Sequence, residues 1–283
     1  MKKILILGGD GMLGSIVTAY FKESGYDVKT TTISEKGDYQ FDVLKNVHDL
    51  EKIINDFQPE AIINCIGILN QVAEEHQALA VMANSYLPHY ADELCQKHNI
   101  KFVHISTDCV FSGQQGEYTE ADFKDTPTFY GQSKALGEIN NDRNLTLRTS
   151  IVGPDANPNG IGLFQWFMQQ TQPVKGYSKV IWTGVTTLQL AKIIEKALQN
   201  NLTGLRHAVN NKKINKYELI GLFNTIFNKN IEITPDDSYD SNKSLIRKTD
   251  FDFEIPDYDV MVQEMCDWIS AHKGVYPEYQ EAK

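Results

Sequence analysis

The chain has 283 residues, 41% of them hydrophobic, enough for a large core in one large domain or two small ones. A charged fraction of 23% excludes whole-chain disorder, and a net charge of -10 with scattered Lys and Arg excludes a nucleic-acid partner. No apolar stretch reaches the ~18 residues of a membrane span, and the run Ile4 to Leu7 is too short for a signal peptide, so no membrane partner and a cytoplasmic location are expected.

Ile4 to Leu7 reads as a buried strand. Met12 to Glu23 follows as a helix with Leu13, Ile16, Val17, Tyr20 and Phe21 on one face, closed by Gly25. Asp27 to Thr32 is a second strand. Val47 to Phe57 reads as a helix stopped by Pro59, and Ala61 to Ile66 as a strand. Glu74 to Asn99 is a long helical stretch that Pro88 kinks or divides. Lys101 to Ser106 is a strand, Thr128 to Asn141 a helix and Leu145 to Arg148 a strand. Val152 to Gly160, with two prolines and two glycines, reads as a loop. Gly162 to Gln170 and Thr186 to Gln199 are helical, and Leu205 to Val209 is one more strand. From Asn210 the order is irregular, ending in a helix near Tyr258 to Ala271.

Apolar strands alternating with helices give an α/β fold, a Rossmann-type doubly wound parallel sheet with helices on both faces. The expected dinucleotide-binding domain spans 1–150 and also takes in 186–210. Residues 151–185 and 211–283 form a smaller, interleaved α+β lobe for the substrate. Ligands in such sheets bind at the carboxyl ends of the strands, where every motif below falls. Cys65, Cys95, Cys109 and Cys266 stand far apart without a C-x-x-C pair and read as reduced, buried thiols. No spacing of carboxylates and histidines suggests a metal. His104 and His207 read as core or edge histidines with satisfied nitrogens.

Gly8, Gly11 and Gly14 form G-x-x-G-x-x-G directly after the first strand, and Gly9, Gly11 and Gly14 satisfy G-x-G-x-x-G. Glycines there permit a tight turn and close approach to a pyrophosphate, and the following helix offers free N–H groups to the anion. The second strand ends Thr30-Thr31-Thr32-Ile33-Ser34 with no carboxylate before Glu35. That end tolerates a 2′-phosphate and favours NADPH, with NADH the alternative and Lys29 and Lys36 as candidate phosphate partners. Asp42 and Val43 are candidates to meet the adenine.

Tyr130 and Lys134 form Y-x-x-x-K, one helical turn apart on one face. A neighbouring ammonium is expected to lower the phenol and make it an efficient acid. Ser106-Thr107-Asp108 ends the preceding strand, where a hydroxyl can polarise a substrate carbonyl. Asn84, near Pro88, is a candidate to hold a water or a freed backbone group near Lys134.

These motifs, with Asn64-Cys65-Ile66-Gly67, the run Ser106 to Gly113, Tyr130-Gly131-x-Ser133-Lys134 and Leu147-Arg148-Thr149-Ser150, resemble the extended short-chain dehydrogenase/reductases over essentially the whole chain. Within them the chain is most similar to the dTDP-4-dehydrorhamnose reductases and their relatives in surface-polysaccharide synthesis. The resemblance implies reduction of the C4 keto group of a nucleotide-activated 4-keto-6-deoxy sugar. Thr107 and Tyr130 would bind the keto oxygen, Tyr130 donating the proton and Lys134 tuning it. Gly8, Gly11, Met12, Leu13, Gly14, Asp42, Val43, Cys65, Ile66, Gly67, Asn84, Ser106 and Lys134 would line the cofactor site. Asp108, Cys109, Ser150 and Trp182 would lie near the sugar or its nucleotide. The family also admits a homodimer.

Two departures point from dTDP-rhamnose toward UDP-linked N-acetyl 4-keto sugars: Cys109 stands where those reductases carry Tyr, and Ile181 to Thr186 lacks their acidic residue. Cys109 also stands where the 4,6-dehydratases carry Glu, and is expected to pack beneath the site. Two rivals remain: an epimerase or dehydratase on the same scaffold, and a non-catalytic dinucleotide-binding regulatory subunit.

Overall fold

The computed structural model describes residues 2–248 and 251–279. Residues 1, 249–250 and 280–283, which the expected domain ranges include, lie outside the described residues. The first half runs β1 (Lys3–Leu7), α1 (Met12–Glu23), β2 (Asp27–Thr32), β3 (Tyr39–Gln40), α2 (Val43–Asn46), α3 (Asp49–Phe57), β4 (Ala61–Asn64), α4 (Asn70–Glu75), α5 (Gln77–Ala80), α6 (Leu87–His98), β5 (Lys101–Thr107), α7 (Phe129–Leu136) and β6 (Leu145–Thr149). The second half runs β7 (Ile151–Val152), α8 (Leu163–Met168), β8 (Val174–Trp182), β9 (Val185–Thr186), α9 (Thr187–Gln199), β10 (Gly204–His207), β11 (Ile214–Asn215), α10 (Lys216–Ile226), β12 (Ile233–Asn242) and α11 (Tyr258–Ala271).

Among the described residues, seven strands form one parallel sheet in the order β10-β6-β5-β4-β1-β2-β3. This is the doubly wound Rossmann-type sheet. From β1 the chain steps outward through β2 and β3, then crosses back to β4 and continues on the other side. The reversal between β1 and β4 opens the crevice where open α/β sheets bind ligands. Alternate residues of the central strands feed two cores. Ile4, Ile6 and Ile63 pack with Ile16, Val17 and Phe21 of α1, while Leu5, Leu7 and Ile62 face Leu50 and Ile54 of α3. Burial on both faces explains why these strands read as unbroken apolar runs.

A second sheet, β11-β8-β12, lies outside the main one, with β11 antiparallel and β12 parallel to β8 and a bulge between Asp236 and Asp240. Helix α10 packs on β8. β7 and β9 form a separate parallel pair where the chain leaves the main sheet and returns to it.

The long helix expected over Glu74 to Asn99 is broken once, at His76, and widens once. His76 leaves helical geometry between α4 and α5, and Val81–Tyr86 forms a π-helical turn before α6. Pro88 sits in the first turn of α6, where its missing N–H costs least. The wider turn that carries Asn84 thus comes just before the proline, within a continuous helix.

Candidate active site

The glycine turn is tied to the end of β2. Gly8, at φ +79°, and Gly9 send their N–H groups to the Thr31 carbonyl at 3.1 and 2.9 Å. A Cβ on Gly14 would lie 1.9 Å from the Gly8 carbonyl oxygen, so only glycine lets α1 begin this close to the turn. Helix α1 has Gly11 as its N-cap, without a side-chain cap or an acidic residue in its first turn. Gly11, Met12 and Leu13 line a cavity of about 590 Å³. A Cβ on Gly11 would meet nothing nearer than the Gly8 carbonyl oxygen at 3.6 Å, so the turn is open on that side. Uncapped N–H groups at a helix start, with room before them, fit the pyrophosphate of a dinucleotide.

Cys65, Ile66 and Gly67, just after β4, line the same cavity. Burial pushes the Cys65 thiol up to about 12, so it stays protonated. Asn84 lies beneath this wall and is fully buried. Its amide accepts the Ile68 N–H at 2.8 Å, and donates to the Ile68 carbonyl at 2.9 Å and the Ser133 hydroxyl at 3.0 Å. Asn84 thus ties the loop at Ile68, before α4, to α7.

Thr107, Tyr130 and Lys134 all open onto this cavity. Thr107 ends β5 and caps the turn Asp108–Val110 by accepting the Cys109 N–H at 3.1 Å. Thr128 caps α7 through the Gly131 N–H at 3.1 Å, and the Glu74 carboxylate accepts the Phe129 and Tyr130 N–H groups at 2.8 and 3.3 Å. A Cβ on Gly131 would lie 2.1 Å from the Cys109 carbonyl oxygen, so this glycine lets α7 press against the turn after Thr107. Ser106 also lines the cavity, but its hydroxyl donates to Glu138 at 2.7 Å; the Thr107 hydroxyl donates to Asp108 Oδ1 at 3.2 Å and has to turn from that carboxylate to reach a substrate oxygen.

One electrostatic expectation is corrected. Burial, with Cys109 and Asp108 adding to it, raises the Tyr130 phenol above its ordinary value, and only a hydrogen bond with Thr107 works against this. The expected lowering by Lys134 is absent because the lysine nitrogen turns to the Ile105 carbonyl at 2.7 Å. Burial brings Lys134 down to about 8. The resting phenol is therefore fully protonated, as a proton donor must be.

Asp108 and Cys109 line the cavity beside Tyr130, so Cys109 forms part of the wall instead of packing beneath it. Burial pushes its thiol up to about 11. Two lysines of the second half approach this pair. Lys243 Nζ lies 3.6 Å from Cys109 Sγ, and burial brings Lys216, at the start of α10, down to about 8 while the nearby Asp108 and Cys109 work to raise it. Lys216 sits over the Trp182 ring at 4.8 Å from its centroid. Burial raises the Asp108 carboxyl, while Lys243 and Lys216 pull it down. Sequence reasoning missed both lysines, because nothing local marks them.

Ser150 lines the cavity, but Trp182, Asp42 and Val43 do not. Trp182 is buried behind Lys216 and against Tyr258. Asp42 caps α2 through the Leu44 N–H at 3.0 Å, and Val43 belongs to the core. Asn84, Gly8 and Gly14 support the cavity from behind its lining. Of the two candidate phosphate partners, Lys29 is paired with Asp38 at 2.9 Å, whereas Lys36 is exposed. Asp155 and Asn157 of the 152–160 loop also line the cavity. The sequence signalled only a loop there.

Residues 1–252 match the family model described as the RmlD substrate binding domain. The chain belongs to this family. Among RmlD-related proteins it is 27% identical over 227 residues to the spore coat polysaccharide biosynthesis protein SpsK of Bacillus subtilis, covering 77% of each chain. It is 32% identical over 157 residues to a dTDP-4-dehydrorhamnose reductase of Aggregatibacter actinomycetemcomitans, an alignment that spans 53% of this chain and 51% of that one. The crystal structure of dTDP-4-dehydrorhamnose reductase from Bacillus anthracis in complex with NADP shares the fold with a TM-score of 0.82 and 20% identity, over 95% of this chain and 99% of the other. No described helix is long and apolar enough to cross a membrane.

Proposed function

We propose that this RmlD-family protein reduces the C4 keto group of a nucleotide-activated 4-keto-6-deoxy sugar, in the synthesis of a surface polysaccharide. The observation that carries the reading is that Thr107, Tyr130 and Lys134 open onto the same cavity as the uncapped start of α1 and the 65–67 turn. The dinucleotide supplies hydride when bound. The Thr107 and Tyr130 hydroxyls donate to the keto oxygen, and Tyr130 gives it a proton as the carbonyl becomes an alcohol. Lys134 lies one turn along α7 and serves the Tyr130 oxygen. The reductase named among the relatives and the polysaccharide role of SpsK support this substrate class.

NADPH is the preferred donor in this reading. Asp38, beside β2, is engaged by the Thr30 N–H at 2.9 Å and by Lys29, while the exposed Ser34 and Lys36 offer a hydroxyl and a cation to a 2′-phosphate. Lys216 and Lys243 serve the sugar-nucleotide diphosphate, which answers how a chain of net charge -10 accepts an anion. Residues 151–185 and those from 211 onward are read as the substrate lobe, since β8, α10 and the segment after β12 deliver these groups.

The test is to incubate the purified protein with NADPH or NADH and either a dTDP- or a UDP-linked 4-keto-6-deoxy sugar. A product heavier by two hydrogens is expected with one nucleotide and not with the other. Unchanged sugar in both, from protein that binds the dinucleotide, removes this substrate class.

A further inference from the structure

The floor of the site holds a polar pair that the chemistry above does not use. His104 stands in the middle of β5 and is fully buried. Its Nδ1 lies 3.1 Å from Asn64 Nδ2 and its Nε2 lies 3.4 Å from Lys134 Nζ. The other end of the Asn64 amide sets its orientation. Oδ1 accepts the Ile66 N–H at 3.1 Å, and turning the amide over would bring two donors face to face. Nδ2 therefore donates to Nδ1, and Nδ1 is the acceptor of the ring. The single proton of a neutral imidazole then sits on Nε2, aimed at the Lys134 nitrogen.

An ammonium has three hydrogens and no lone pair, so the Nε2–H confronts a donor whenever Lys134 is charged. A neutral amine has the lone pair that Nε2–H needs, and keeps a hydrogen for the Ile105 carbonyl. We propose that Asn64 and His104 are positioning residues that acidify Lys134: with its proton locked on Nε2, the ring opposes the ammonium and favours the amine. In the reductase reading, on which the kinetic part of this inference rests, Tyr130 passes its proton to the C4 oxygen. The Lys134 ammonium then passes a proton to the phenolate oxygen. The amine left behind accepts the His104 hydrogen bond, and regains a proton from solvent once product leaves the cavity.

The surroundings agree with this geometry. Burial lowers Lys134, while Glu138 beyond α7 and Cys65 beyond β4 draw it back up. His104 completes the titratable groups facing it, and Tyr130 lies one turn earlier on the same helix. Burial, the Lys134 charge and His89 of α6 hold His104 well below the ordinary histidine value, so the ring stays neutral and acts as a fixed donor.

The experiment follows the ring nitrogens by 15N NMR of histidine-labelled full-length protein, with His104→Gln to assign the signals, and follows the Lys134 titration through its labelled side chain. In the wild type, Nε2 is expected to carry the proton. In Asn64→Asp the carboxylate calls for a donor, so the proton moves to Nδ1, Nε2 accepts from the ammonium, and the Lys134 midpoint rises by about one pH unit, roughly tenfold in proton affinity. The alkaline limb of the kcat profile moves the same way. A wild-type ring protonated at Nδ1, or an unmoved Lys134 midpoint in folded Asn64→Asp, overturns the proposal. The expected ring and lysine behaviour in a protein that reduces no keto sugar supports the proposal's electrostatics and removes the reductase reading instead.

Discussion

Glu138, just after α7, accepts two hydrogen bonds from Arg148 of β6, Nε to Oε1 at 2.8 Å and Nη2 to Oε2 at 2.7 Å. Both side chains are nearly inaccessible to solvent. Burial pushes the Glu138 carboxyl up, but the Arg148 hydrogen bonds and charge outweigh it and hold the group below its ordinary value. The same carboxylate accepts Ser106, and Arg148 donates to His207 Nε2 at 2.9 Å. One ion pair and its hydrogen bonds thus join β5, β6 and β10. Replacing Arg148 with Met leaves the buried carboxylate with Lys124 at 3.2 Å as its remaining cation, and a loss of about 3 kcal/mol in urea unfolding is expected. An unchanged midpoint would mean that the pair is dispensable.

His207 gives the fold a measurable acid sensitivity. Its Nε2 accepts from Arg148, so its proton sits on Nδ1 and donates to the Ile246 carbonyl at 2.9 Å. Burial and the Arg148 charge lower it to about 4. The unfolded chain takes up this proton near its usual ~6.5, whereas the folded chain resists it. The stabilisation is therefore complete above pH ~6.5 and is lost as pH falls from there toward 4. Chemical unfolding at pH 7.5 and pH 5 is expected to give a lower midpoint at the acid value, and His207→Gln to lessen the difference.

Tyr130 is the proton donor in the proposed reduction, so Tyr130→Phe is expected to lower kcat by about a hundredfold or more with folding intact. Thr107→Val leaves the phenol in place and is expected to cost about tenfold, a loss of one supporting hydrogen bond. Steady-state loss of nicotinamide absorbance measures both. Gly131→Ala forces α7 away from the Cys109 carbonyl, and is expected to reduce kcat with little change in dinucleotide affinity.

Lys243 and Lys216 are expected to act on binding more than on chemistry. Lys243→Ala should raise KM for the sugar nucleotide about tenfold, the equivalent of one charge-assisted hydrogen bond, with kcat nearly unchanged. The KM of the wild type should also rise with salt more steeply than that of the variant. Equal salt dependence in the two would place the diphosphate elsewhere.

The legible parts of this molecule are those where one local rule decides. The limits of α1 and β2 follow from the apolar face of Met12 to Glu23 and the β-branched run after Lys29, with Gly25, at φ +84°, between them. The glycine turn and the Tyr130–Lys134 spacing likewise carry their own geometry. The expected helix from Thr128 to Asn141 ends at Leu136 instead, with Gly137 as its C-cap packed against the distant Asn84 carbonyl oxygen, where a Cβ would lie 1.9 Å away. β12 was not read because Ile233–Asn242 is polar, contains Pro235 and owes its pairing to β8. α10 was missed although Asn215 and Glu218 form a complete capping box, a local signal that was present. Lys216, Lys243 and Asp155 reach the site only through tertiary packing, so no local pattern marks them.

The most direct test of the reductase reading uses NADPH deuterated at its transferable position and the active 4-keto sugar nucleotide, with product and cofactor counted together. One deuterium at C4 for each NADPH consumed, lost in Tyr130→Phe, is the expected result. A sugar converted without net consumption of NADPH, as an epimerase or dehydratase would do, contradicts it.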